Sequence, residues 1–151
     1  MTTSGREATD SDLAGLAGLF GAYLEFYGRS HDPDRVRGYL GDRMSRGESI
    51  VHVAERGSEL VGFTQCYPTW SSLDLDALWV LEDLFVSPPA RKSGVARALL
   101  EATSAAASAA SACRLVLETQ HGNARAIGLY ESFGFVRDRE FLTYELELPD
   151  R

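Results

Sequence analysis

The sequence predicts a mixed α/β domain built around a largely antiparallel sheet, and three observations support this fold class. The chain has 151 residues, which suits a single domain spanning residues 1–151. Its hydrophobic fraction of 44% and its charged fraction of 25% are ordinary for a globular protein. The spacing of apolar residues alternates between helical and strand periods, in the order α-α-β-β-β-α-β-α-β-β.

Each element follows from a local pattern. Residues 9–12 offer an N-cap and early acidic side chains, and apolar residues then recur at helical spacing as far as Tyr27. Two apolar stretches around a polar turn predict a hairpin, and the next apolar run predicts a central strand buried on both faces. An Ala-rich helix then crosses to a parallel strand. The predicted helices cover 9–27, 33–46, 93–112 and 123–133, and the predicted strands cover 49–55, 59–70, 77–86, 114–119, 135–138 and 140–148, with room for a short strand before Thr9.

Composition and charge argue against several classes of protein. The net charge of −7 disfavours general nucleic-acid binding, which needs a basic surface. No run reaches the roughly 18 apolar residues of a membrane helix, and residues 1–12 lack the apolar core of a signal peptide, so a cytoplasmic protein without a membrane partner is expected. Cys66 and Cys113 lie in no metal-ligand pattern, so we expect two buried free thiols and no metal site.

A basic loop of small residues between a strand and a helix predicts a phosphate site. An apolar strand ends at Val86, two prolines follow, and Arg91 and Lys92 then precede Gly94 and a long helical pattern. The first amides of a helix have no partner within it, and glycine allows a phosphate to approach the backbone closely. The loop is neither a Walker loop nor a dinucleotide fingerprint. Taken alone, the loop leaves two other interpretations open, an ordinary turn between a strand and a helix or part of a nucleotide-binding module.

A second motif occupies residues 123–135, which read N-A-R-A-I-G-L-Y-E-S-F-G-F. With V-S-P-P-A-R-K-S-G-V-A at 86–96, it makes the chain resemble the GNAT N-acetyltransferase superfamily. That family's signatures are V-x-P-x-x-R-x-x-G-x-G/A and N-x-x-A-x-x-L/F-Y-x-x-x-G-F. One departure is Ala96, where the signature more often has glycine. The strand L-E-D-L-F-V at 81–86 is similar to that of the spermidine and thialysine acetyltransferase branch.

The resemblance implies a binding site for acetyl-CoA. The cofactor would lie where two parallel strands of a twisted, mostly antiparallel sheet splay apart, here the strands at 77–86 and 114–119. Dimerisation is common in the family, so a homodimer is expected. The implied cofactor-binding residues are Leu84, Phe85 and Val86 for the pantetheine arm, Arg91, Lys92, Ser93, Gly94, Val95 and Ala96 for the pyrophosphate, and Asn123, Arg125 and Tyr130 in the second motif.

Two side chains are candidates for the chemistry of acyl transfer to an amine. An alkyl ammonium with a pKa of ~10.4 must lose a proton before it attacks. Glu82 is the candidate base, because burial in an apolar strand beside Asp83 raises the pKa of a carboxyl group. Tyr130 matches the family's usual general acid, and a phenol pKa of ~10 suits protonation of a thiolate. Alternatively, Glu82 only binds a cationic substrate, and Tyr130 only packs against Phe133 or Phe135.

The acceptor site is predicted on aromatic and acidic side chains, which together suit an ammonium group. The candidates are Tyr23, Tyr27, Tyr67, Glu82, Asp83 and Glu118. The sequence therefore predicts an enzyme that transfers the acetyl group of acetyl-CoA to a primary amine. A small molecule, such as a polyamine or a lysine analogue, is favoured over a protein because a compact domain without a basic groove is expected. A non-catalytic acyl-CoA sensor and a protein-lysine or N-terminal acetyltransferase stay open as alternatives.

Overall fold

The computed structural model describes residues 3–150, which divide into two compact units, residues 3–118 and residues 119–150. The first unit contains five strands and three α-helices among its described residues. Its strands are β1 (Gly5–Glu7), β2 (Ile50–Arg56), β3 (Glu59–Ser71), β4 (Asp76–Val86) and β5 (Leu115–Val116), and its helices are α1 (Leu13–Phe26), α2 (Pro33–Ser45) and α3 (Val95–Ala109). The second unit contains α4 (Ala124–Phe133), which an irregular segment follows.

The sheet has the strand order β1-β2-β3-β4-β5, and this arrangement confirms the predicted fold class. The first four strands pair antiparallel in succession, whereas β4 and β5 run parallel. The parallel ladder joins only Trp79 to Leu115 and Val80 to Val116. The strand predicted at 114–119 is therefore much shorter than expected, because no ladder continues it beyond Val116. That the whole of residues 1–151 forms one domain stays a prediction.

Two apolar clusters hold the helices of the first unit against the sheet. One joins Leu16 of α1 and Leu40 of α2 to residues of β2, β3 and β4. The other joins Val95 and Leu99 of α3 to the same strands. Gly62 of β3 allows α3 to come close, since a Cβ at that position would lie 3.1 Å from Leu99 Cδ1 and 3.2 Å from Val95 Cγ1. This close packing fixes the N-terminus of α3 beside the end of β4.

Most predicted bounds agree with the structure within a few residues, including the short strand before Thr9. The first helix begins as a 3-10 turn at Asp10–Asp12 and continues as α1. The third helix begins at Val95 rather than at the predicted residue 93, because Gly94 has a φ of +83° and is the N-cap. None of the helices within residues 3–150 is long and apolar enough to span a membrane.

Two predictions are wrong. Residues 135–138 and 140–148 form no strand within the described part of the chain. Alternating apolar residues make a strand favourable, but a strand exists only when its backbone finds a ladder partner. Within this segment, Glu140 N–H and Phe141 N–H each donate a local hydrogen bond to Asp138 Oδ1. Cys113 was expected to be buried and is exposed, because it follows the end of α3, whereas Cys66 is buried in β3 as expected.

Candidate active site

The early end of the parallel ladder leaves one edge of β4 open. Beyond Val80, β4 continues to Val86 with β3 as its ladder partner and with no pairing to β5. Because backbone groups of a strand point alternately to its two sides, residues 81–86 present amides and carbonyls along this open edge. An extended ligand that carries amide groups can pair with such an edge as an additional strand would. Leu84, Phe85 and Val86, predicted to bind the cofactor, lie here.

The loop after β4 carries the features of an anion site. A 3-10 turn at Pro88–Ala90 reverses the chain, and Lys92 and Gly94 both have left-handed backbone conformations, with φ of +61° and +83°. Gly94 is the N-cap of α3 and offers no side chain to its first amides. A Cβ at Gly94 would have nothing within 4 Å, so the space around this N-cap position is open. The predicted residues 91–96 therefore form a loop that fits a phosphate group.

The side chain of Arg91 is held in place by the sheet. Its Nε donates a hydrogen bond of 3.0 Å to the carbonyl oxygen of Val86. Its guanidinium also lies over the rings of Phe26 and Phe85, at 5.4 and 5.6 Å from their centroids. Arg91 thus fixes the loop to the end of β4 while its charge stays beside the phosphate site.

Arg56 is a basic residue at this loop that sequence reasoning missed. It ends β2, and its Nη2 donates a hydrogen bond of 2.5 Å to Ser93 Oγ. Ser93 Oγ in turn donates to the carbonyl oxygen of Ala90. The loop therefore has a third cation next to it, besides Arg91 and Lys92. The only sequence signal is a basic residue at the predicted turn of the first hairpin, which does not reveal that this turn meets the loop.

A β-bulge in β4 sets the direction of the Glu82 side chain. In the ladder with β3, Gln65 pairs with Asp83 and Cys66 pairs with Leu81, so Glu82 has no opposite residue. The extra residue changes the alternation of the strand, which is how a bulge redirects side chains. Glu82 is exposed and Asp83 is buried, although both belong to a strand that is otherwise mostly apolar. The expectation that both carboxylates are buried is therefore wrong for Glu82.

The pKa of Glu82 is nevertheless raised above its usual value. Partial desolvation is the largest cause, and the negative charges of Asp83 and Glu118 add to it. The negative charges of Asp83 and Glu118 are thus close enough to disfavour the charged form of Glu82. A raised carboxyl pKa suits a group that must accept a proton near neutral pH.

Asp83 lies in a small buried polar network. It accepts a hydrogen bond of 2.9 Å from Gln65 Nε2 and another from the hydroxyl of Tyr23. Burial raises the pKa of Asp83, and the two hydrogen bonds partly counter that effect. Burial and the nearby carboxylate also raise the pKa of Tyr23. Gln65 Oε1 is buried and has no hydrogen-bond partner within residues 3–150.

Further tyrosines extend this network towards the surface. The rings of Tyr23 and Tyr27 meet edge to face with centroids 5.1 Å apart. The hydroxyl oxygens of Tyr67 and Tyr39 are 2.6 Å apart, and burial with this contact raises the pKa of Tyr67. The charges of Asp83 and Glu82 also act on both Tyr23 and Tyr67. The structure thus brings the predicted acceptor residues together; Tyr39 was not predicted.

The second unit carries the remaining predicted site residues on α4. Asn123 is the N-cap, and its side chain accepts a hydrogen bond of 3.2 Å from Ala126 N–H. Arg125 is exposed in the first turn. The ring of Tyr130 meets the ring of Phe135 with centroids 5.7 Å apart. The backbone carbonyl oxygen of Tyr130 accepts hydrogen bonds from the amides of Gly134 and Phe135, which fixes the backbone of Tyr130 at the end of α4.

An open strand edge beside an anion-binding loop is typical of proteins that bind an extended, phosphate-bearing cofactor. Residues 16–135 match the family model described as Acetyltransferase (GNAT) family. A protein of Bacillus subtilis named "Uncharacterized N-acetyltransferase YhfO" is 40% identical over 95% of this chain and 97% of its own length. The chain therefore belongs to the GNAT acetyltransferase family. It is an acetyltransferase, and its acetyl donor is acetyl-CoA.

Solved structures agree with this assignment. The crystal structure of a probable acetyltransferase is 38% identical, covers 100% of both chains and gives a TM-score of 0.89. An aminoglycoside N-acetyltransferase in complex with CoA has the same fold, with a TM-score of 0.81 at 18% identity over 97% of this chain and 96% of its own.

Gly94→Ala tests the anion loop. Alanine is strained at a φ of +83°, by about 1–2 kcal/mol, and its methyl group would occupy the open space at the N-cap position of α3. We expect calorimetric titration to show about tenfold weaker CoA binding, a loss of ~1.4 kcal/mol. Gly47→Ala is the control, because Gly47 has a φ of +67° but follows α2. Equal CoA affinities in both variants would exclude the loop as the binding site.

Proposed function

We propose that the enzyme acetylates a primary amine of a small cationic molecule, such as a polyamine or a lysine analogue. The observation that carries this proposal is that the charges of Asp83 and Glu118 help to raise the pKa of Glu82 beside a set of tyrosines. A bound ammonium group would relieve this repulsion and would also be attracted by the aromatic faces of Tyr23 and Tyr27. The resemblance of residues 81–86 to the spermidine and thialysine acetyltransferases favours the same class of substrate.

In the proposed reaction, Glu82 accepts the proton that the ammonium group loses, directly or through a water molecule. Its exposure allows it to meet a substrate, and its raised pKa makes it a better base than an ordinary carboxylate. Acetyl-CoA supplies the acetyl group as a thioester, so a C–N bond forms as the C–S bond breaks. Tyr130 gives its phenolic proton to the leaving thiolate. The nitrogen of the adduct still carries one proton more than the amide does, and this second proton passes to the phenolate of Tyr130, directly or through a water molecule, which restores the charge balance.

The remaining predicted residues are proposed to hold the cofactor. Residues 84–86 would pair with the pantetheine arm through the open edge of β4, and the amides and cations of residues 91–96 would hold the pyrophosphate. Arg56 would add positive charge at the same loop. Arg125 is proposed to contact the phosphate end, and Asn123, whose side chain caps α4, would lie beside the arm.

The proposal also covers the cellular compartment and the oligomeric state of the enzyme. We propose a cytoplasmic enzyme, since both cysteines are free, as expected in a reducing compartment. We also propose that it acts as a homodimer. The aminoglycoside N-acetyltransferase that shares this fold at 18% identity is named for an acceptor that is a small molecule, which is the class of acceptor that we propose.

A screen of acetyl-CoA consumption tests the substrate class. Polyamines, amino acids, aminoglycosides and lysine peptides would be compared at equal concentration by release of the free thiol. We expect a polyamine or a lysine analogue to have a kcat/KM at least about tenfold above that of any peptide, because the acidic site selects a compact cation. Turnover of peptides alone would indicate a protein acetyltransferase. CoA binding without transfer to any amine would indicate a sensor, and either result would overturn the proposal.

Glu82→Gln tests the proposed base. Glu82 must be deprotonated to act, so kcat/KM of the natural enzyme should fall as the pH drops through the raised pKa of Glu82. The glutamine variant cannot accept the proton, so we expect a rate about 100-fold lower and the loss of that acidic limb. Glu101→Gln is the matched control, since Glu101 is exposed on α3. An unchanged pH–rate profile in Glu82→Gln would remove Glu82 from the proton transfer.

Tyr130→Phe tests the proposed acid. The variant keeps the ring that contacts Phe135 and removes only the hydroxyl group. We expect kcat to fall about 100-fold while the KM for acetyl-CoA stays the same, because the proton is needed only in the chemical step. Tyr144→Phe, at an exposed position, makes the same chemical change as a control. Normal turnover in Tyr130→Phe would leave the thiolate to be protonated by another group.

A further inference from the structure

Arg56, the last residue of β2, turns away from the acid that its own hairpin offers. In the ladder between β2 and β3 it lies directly opposite Glu59, and opposite charges at such positions attract each other. Within residues 3–150, however, none of the ion pairs includes Arg56. Its Nη2 instead donates a hydrogen bond of 2.5 Å to Ser93 Oγ, in the loop before α3. The half-buried guanidinium therefore lies at the anion loop.

A β-bulge next to Arg56 helps to place its side chain. The register between β2 and β3 shifts between Ala54 and Glu55, so Val61 of β3 has no opposite residue. A bulge bends and twists a strand and so redirects the side chains near it. Glu55, which precedes Arg56, lies 3.5 Å from Arg6 of β1 and forms an ion pair with it. The adjacent acid is thus engaged by another arginine, and the charge of Arg56 stays available at the loop.

Ser93 holds the guanidinium of Arg56 and leaves most of its donors for a ligand. The hydroxyl group of Ser93 accepts from Arg56 and donates to the carbonyl oxygen of Ala90, so the loop itself fixes the hydroxyl. A guanidinium has five N–H donors in a planar fork, and the bond to Ser93 uses one of them. The fork matches the oxygens of a phosphate, to which it can donate two parallel hydrogen bonds. Arg56 is therefore a positioned phosphate donor beside the residue that precedes the N-cap, Gly94.

The other cations of the loop suit the diphosphate of CoA. Arg91 is fixed by its bond to the carbonyl oxygen of Val86 and by two aromatic rings, and Lys92 belongs to the turn that leads into α3. Together with the first amides of α3, these two residues provide for a diphosphate. CoA carries a further phosphate, a monoester on the 3′-oxygen of its ribose, which bears nearly two negative charges at neutral pH. That phosphate is one sugar away from the diphosphate, and Arg56 reaches the loop from a neighbouring strand.

We propose that Arg56 binds the 3′-phosphate of CoA and thereby makes the enzyme select CoA over its 3′-dephosphorylated form. The inference rests on the proposed cofactor loop at residues 91–96, and it does not depend on which amine is acetylated. The 3′-phosphate and the thioester lie at opposite ends of CoA. Arg56 therefore acts on the affinity for the cofactor and takes no part in the transfer of the acetyl group.

Calorimetric titration with CoA and with 3′-dephospho-CoA measures this selection. We expect the natural protein to bind CoA about 20-fold more tightly, because hydrogen bonds between two charged groups are the strong ones. Arg56→Gln removes the charge, so it should weaken CoA binding by about 20-fold and change the affinity for dephospho-CoA by less than about threefold. Arg37→Gln, which removes an exposed arginine of α2, is the matched control and should change neither affinity. Circular dichroism checks that each variant is folded.

The ratio of the two affinities separates a contact with the 3′-phosphate from a change in the loop. Gly94→Ala should weaken both ligands by the same factor, because the loop holds the diphosphate that they share. Equal losses in Arg56→Gln would assign Arg56 to the diphosphate and overturn the proposal, and so would a natural protein that binds both ligands equally well. A protein that binds neither ligand would overturn the cofactor loop together with the role of Arg56. The class of amine is decided separately, by the screen of acetyl-CoA consumption.

Discussion

The early end of the parallel ladder between β4 and β5 is the constraint on which the candidate site depends. Two residue pairs hold the strands together, and from Leu81 onward β4 keeps a ladder on its β3 side alone. Residues 81–86 of β4 provide the open edge, and the chain continues from Val86 directly into the loop that ends at Gly94. A longer ladder would close the edge with backbone hydrogen bonds and leave no room for an extended ligand. The bulge at Glu82 adds the second requirement, because it turns a carboxylate outward at the point where the edge opens.

Polar groups in the middle of β3 and β4 make the sheet less stable than an apolar alternative of the same shape. Asp83 is 7% exposed and Gln65 is fully buried. Taking such groups out of water costs free energy, and a buried acceptor without a partner costs about 1–3 kcal/mol more. Hydrogen bonds from Gln65 and Tyr23 to Asp83 offset part of this cost. Apolar residues fill most of the remaining interior of the sheet, so this network is a local departure from an apolar core, and it is consistent with the proposed site for a charged amine.

The sequence was sufficient for the parts of the fold and site that depend on short stretches of chain. The loop at 91–96 and the helix predicted at 123–133 are local, and the structure forms both. The exposure of Glu82 was not predictable, because a bulge is defined by the register against β3 and not by the alternation within β4. Arg56 reaches Ser93 across 37 positions of sequence, a contact that only tertiary packing creates. The strand predicted from alternation at 140–148 is wrong, because a strand needs a ladder partner and the alternation of residues does not specify one.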